Sequence, residues 1–168
     1  MKRIFAIGII FVIVVYLIFF GDFSQFNQEQ QEFKAFIEDL DDTFFQLSED
    51  SFHHFNEVVD ALDNQTFTQW YFSEGGREEN ITLQGKIEDA QEDLLLEELH
   101  YEPALLLKDN IIEQLILFDD TFNLLYNSPS NKEDTDFSQL KLNFTKKVDE
   151  LTILGEKMEE IIEQYGEK

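Results

Sequence analysis

Residues Ile4 to Phe20 form a run of seventeen residues without a charge, preceded by Lys2 and Arg3 and followed by Gly21-Asp22. No other stretch constrains the chain so strongly. Fourteen of the seventeen are Ile, Val, Leu or Phe, worth roughly −4 to −8 kcal/mol of insertion free energy when summed. As a helix the run is roughly 26 Å long, at the short end of a membrane span. A cleaved signal peptide needs a small-x-small site after its apolar core. Gly21-Asp-Phe-Ser-Gln-Phe26 offers none. Residues 1–21 are therefore expected to be a short cytoplasmic stub and a single transmembrane anchor. Basic residues stay on the cytoplasmic side, so Lys2 and Arg3 predict an inside amino terminus and an extracytoplasmic domain over 22–168.

That domain is strongly acidic. The whole chain carries a formal charge of −24, and Lys2 and Arg3 are the only charges before residue 22, so the remainder carries −26. Such a surface excludes binding modes that neutralise phosphates with basic patches, nucleic acid above all. With no cysteine in the chain, the domain must be held by its core alone, without disulfides.

The periodicity outside residues 64–80 is helical. Residues 22–64 contain neither Gly nor Pro, and Phe33, Ile37, Leu40, Phe44 and Leu47 step by four and three. The stripe resumes at Phe52, Phe55, Val59 and Leu62, which reads as a stutter near Ser51. Residues 64–80 break the pattern around Gly75-Gly76 and read as an ordered loop, with a short hairpin as the alternative. Leu83, Ile87, Ala90 and Leu94 make a second stripe. Ile111, Leu115, Phe118, Phe122 and Leu125 make a third. Between these two stripes lies Pro103, in a segment (His100-Tyr-Glu-Pro103) without Gly, Asn or Ser. The expectation is one helix over about 81–127, kinked at Pro103. A last helix over about 135–165, capped by Asp134 or Thr135, carries its stripe from Phe137 to Tyr165.

Apolar stripes are stable only when buried against one another. The predicted fold class is therefore all-α: an anchor followed by a long antiparallel three-helix bundle, with a four-helix bundle as the alternative if the chain reverses at Pro103. The same seams could also pair between chains. This layout resembles that of anchored extracytoplasmic helical proteins of Gram-positive bacteria, in architecture alone and with no residue match.

No Gly-x-Ser-x-Gly elbow, phosphate loop or His-Glu-x-x-His is present, and motifs of that kind have fixed local spacing. The reading is non-catalytic and without a cofactor. The chain is expected to act as an adaptor, scaffold or sensor for another envelope component, with cell-wall binding as an alternative. The partners expected are the bilayer, through Ile4–Phe20, and a protein or wall component outside it. Trp70, Tyr71 and Phe72, which hold the only Trp of the chain, are the candidate contact residues. The competing role for them is to plug the end of the bundle core. A metal-binding alternative uses Asp50-x-x-His53 and Glu97-x-x-His100, because residues three apart share a helix face and di-iron bundles use such pairs. His53-His54 with Glu57 otherwise reads as a solvated patch.

Overall fold

A computed structural model describes residues 28–128 and 137–166, except for the side chain of Asp42. Every regular element among these residues is helical. α1 (Gln28–Leu40) passes through a π-helical turn (Asp41–Phe45) directly into α2 (Gln46–Asp63). Together they make one rod about 54 Å long at the usual helical rise. A short α3 (Phe67–Ser73) follows, then α4 (Gly76–Leu96), α5 (Glu102–Tyr126) and α6 (Phe137–Gly166). The rod, α4, α5 and α6 run up, down, up and down. α3 lies at the end where α2 stops and α4 starts, here called the distal end.

Contacts between helices fix these directions. At the proximal end the Tyr101 hydroxyl donates to Gln28 Oε1 (3.0 Å), and Phe33 meets Tyr165 edge-on at 6.1 Å. At the distal end Lys141 pairs with Asp63, and Phe67 lies 6.0 Å from Phe137. α5 is the central helix and packs on α6, α4 and α1. Its inward positions, among them Leu107, Ile111, Leu115, Phe118, Phe122 and Leu125, are fully buried. Phe55 ties the middle of the core together, touching Phe118, Phe122 and Phe144 at 5.8, 5.0 and 5.3 Å.

The kinked helix expected across Pro103 is not formed, and the four-helix arrangement takes its place. α4 ends at Leu96, where Glu97 turns extended (ψ 121°), and Tyr101 is extended again (ψ 144°). Pro103 then lies in the first turn of α5, where its missing N–H costs nothing. The turn is stabilised from a distance. Glu32 of α1 accepts the amides of His100 (2.9 Å) and Tyr101 (2.8 Å), and Lys108 Nζ donates to the Glu97 carbonyl (2.7 Å). A carboxylate at the start of a helix satisfies free amides and complements the dipole.

Two further expectations change. Residues 67–73 are helical rather than a loop or hairpin, because Phe67, Trp70 and Tyr71 share one helix face and that face covers the core. The seam is also continuous through Ser51, which is buried and donates to the Leu47 carbonyl (2.8 Å). The stripe therefore runs Leu47, Ser51, His54, Val58, and the extra residue is taken up by the π turn, where both Phe44 and Phe45 are buried. Among the described residues no helix is long and apolar enough to cross a membrane. The predicted anchor Ile4–Phe20 and the predicted caps Asp134 and Thr135 lie outside the described residues.

Candidate functional site

The distal end is closed by α3. α2 stops at Asp63, and Gln65 takes a left-handed conformation (φ 59°), which lets the Thr66 amide reach back to the Ala61 carbonyl (2.8 Å). α3 then lays its aromatic face on the core. Phe67 and Tyr71 stack at 5.1 Å with an interplanar angle of 12°, and both are buried. Burial pushes the Tyr71 hydroxyl pKa well above its ordinary value, against the lowering effect of Arg77. Gly75 then adopts φ 98° and caps α4. Gly76 lies under the Trp70 indole, where a Cβ would come within 3.0 Å of three ring carbons. Of the three aromatics read as contact residues, Tyr71 is enclosed, while Trp70 and Phe72 are half-buried against the core.

Directly beneath this cap is His54. It sits on the inner face of α2, three residues on from Ser51, and its side chain has no exposed surface. Its ring lies 5.3 Å from Trp70 and 5.8 Å from Phe122, tilted against both. Neither ring nitrogen makes a hydrogen bond. Nδ1 stands 3.4 Å from Glu79 Oε2, within ion-pair range but longer than an ordinary N–H···O bond. Burial lowers the His54 pKa, and the nearby Glu79 carboxylate only partly opposes it. The ring is therefore neutral near pH 7. Glu57, one turn along α2, completes a group in which one ligand atom each from His54, Glu57 and Glu79 lies within 4.8 Å of the others. Glu79 belongs to the first turn of α4, where a carboxylate complements the helix dipole.

A polar groove between α2 and α4, with a volume of about 320 Å³, runs alongside. It is lined by Asp50, His53, Glu79, Thr82, Leu83 and Lys86. The sequence-derived metal set divides here. Asp50 accepts from Gln46 (3.0 Å) and pairs with Lys86 (3.6 Å), and the exposed His53 pairs with Glu57 (3.8 Å). His100 is at the other end of the bundle, beside Glu32 (3.2 Å), and Glu97 precedes it in the same turn. Glu32 and Asp50 lie on one rod, separated by about 27 Å of helix. Asp50 and His53 therefore do not converge with Glu97 and His100. The convergent histidine is His54, which the sequence reading assigned to a solvated patch. The missed signal was the four-three step itself, which points His54 inward once Ser51 is admitted to the seam. No protein-family model, curated protein or solved structure matches the chain.

Proposed function

We propose that the chain is a membrane-anchored extracytoplasmic adaptor, scaffold or sensor that engages another envelope protein close to the bilayer. The observation that carries this reading is the apolar corner at the proximal end. Leu95 and Leu96 are 66% and 79% exposed at the close of α4, and Leu105 and Leu106 are about 40% exposed in the opening turns of α5. Four exposed leucines flanking one helix reversal suit an interaction surface more than isolated ones do. The Tyr101–Gln28 and Glu32–His100 bonds hold this corner against the start of α1. The apolar run Ile4–Phe20 ends a few residues earlier, a stretch that spans at most about 25 Å when extended. An anchor in that run keeps the leucine corner within reach of neighbouring membrane proteins. The acidic surface elsewhere opposes non-specific adhesion to anionic headgroups.

The test is site-specific photocrosslinking of the full-length protein in its native membrane. A crosslinker at Leu96 is expected to capture one envelope protein in reciprocal experiments, and one at Leu142, 63% exposed on α6, is not. In the protein carrying the crosslinker at position 96, Leu95→Glu with Leu105→Glu should abolish the adduct and leave the melting temperature unchanged. Equal capture from both positions, or none from Leu96, would remove the adaptor reading.

A further inference from the structure

We propose that His54, Glu57 and Glu79 form a binding site for a divalent transition-metal ion of the Zn²⁺ or Co²⁺ class, tying α2 to α4 beneath the aromatic cap. Their three ligand atoms converge. His54 is wholly buried, with both ring nitrogens unbonded, and its Nδ1 faces Glu79. A buried polar group without a partner costs about 1–3 kcal/mol, so a fold that keeps this imidazole inward between Trp70 and Phe122 needs a reason. A metal at Nδ1 supplies one for that nitrogen.

The dimensions agree with such an ion. Bonds of about 2.0–2.1 Å from a tetrahedral Zn²⁺ set neighbouring ligand atoms about 3.4 Å apart. The His54 Nδ1 to Glu79 Oε2 separation is 3.4 Å, long for a hydrogen bond but right for the edge of that tetrahedron. Glu57 needs only a side-chain rotation to complete a face, since it is held loosely by the exposed His53. Water from the groove lined by Asp50, Thr82 and Lys86 can take the fourth position. Two carboxylates and one neutral imidazole balance a divalent charge. Imidazole selects Zn²⁺, Co²⁺, Ni²⁺ or Cu²⁺ over Mg²⁺ and Ca²⁺, which take six or more oxygens. The ion would join the two helices that α3 connects, so it would hold the distal cap closed. This site stands apart from the leucine corner and does not depend on the adaptor reading.

Trp70, the only Trp of the chain, lies 5.3 Å from the His54 ring and serves as a built-in reporter. The full-length protein is titrated with Zn²⁺ by calorimetry and with Co²⁺ by absorption and Trp70 emission. Millimolar Mg²⁺ is present throughout to occupy the diffuse acidic surface. One ion per chain, quenching of Trp70 by Co²⁺, tetrahedral Co²⁺ absorption and a higher melting temperature with Zn²⁺ are expected. Replacing the buried His54 risks unfolding the core, so the decisive variants are Glu57→Gln and Glu79→Gln, both at partly exposed positions. Each should weaken binding by more than about tenfold, and the pair should abolish it, while Glu78→Gln leaves it unchanged. No saturable one-to-one binding overturns the proposal. So does undiminished binding by the double variant, which would assign the ion to the general acidic surface.

Discussion

At the distal end the chain turns back through a left-handed Gln65, the seven residues of α3 and the Gly75-Gly76 pair. At the proximal end it turns through 97–101 with no glycine, its free amides held by Glu32 from 68 residues earlier and its Glu97 carbonyl by Lys108. The first reversal is encoded where it occurs. The second is encoded in α1, and it forms only when α1 is already packed beside α5. A local turn can precede the bundle in folding, whereas the Glu32 turn depends on it. The same contrast extends to the surface: the distal end covers its aromatics with one another, and the proximal end leaves Leu95 and Leu96 in water.

The distal cap is most sensitive at Tyr71. Tyr71→Ala removes a fully buried ring stacked on Phe67 and should cost about 3–5 kcal/mol in denaturant unfolding. Tyr71→Phe keeps the ring, loses only a hydroxyl without a partner, and should cost little. If both variants were equally damaging, the cap would depend on the hydroxyl and not on aromatic packing.

Glu32→Ala tests the remote turn. Losing two amide bonds to a carboxylate should cost about 2 kcal/mol and speed amide hydrogen exchange at His100 and Tyr101 specifically. A pH dependence accompanies it. Desolvation raises the Glu32 pKa, but the His100 and Tyr101 amides and the His100 ring outweigh it, so the folded-state pKa lies below the ordinary carboxylate value. A depressed carboxylate pKa contributes stability above the unfolded pKa and loses it as pH falls through the folded one. The difference between wild type and Glu32→Gln should therefore be full near neutrality and shrink below about pH 4. A difference that stays constant into acid would assign the turn to packing of Leu99 and Tyr101 instead.

The smallest effect belongs to Gly75. An L-residue at φ 98° is strained, but no atom lies within 4 Å of its Cβ position. Gly75→Ala should cost about 1 kcal/mol and leave the proximal end untouched by hydrogen exchange. A global loss of protection would show that the two reversals are coupled.

Much of the bundle was legible in the sequence. The stripe of α5 falls on its buried positions, and that of α6 does so from Leu140 to Leu151 and at Met158, because a four-three step has one geometric meaning on a helix; near its end the buried residue is Ile162 and not Ile161. His54 was not legible, since its four-three step from Leu47 runs through a polar Ser51, and the phase of α2 that turns both inward depends on the π turn before it. Asp50-x-x-His53 and Glu97-x-x-His100 share only a spacing within each helix. Spacing of that kind says nothing about which ends of two helices meet.

The helical class, the net acidic charge and most seam positions follow from residue order alone, because hydrophobic periodicity and net charge are properties of the chain read in order. The tertiary structure alone decided that the chain reverses before Pro103, that α3 is a lid and not a loop, and that His54, Glu57 and Glu79 converge. Each of those depends on a group distant in sequence: the Glu32 carboxylate, the core beneath Tyr71, and the first turn of α4 set beside α2. Contacts of that kind exist only after the helices have packed.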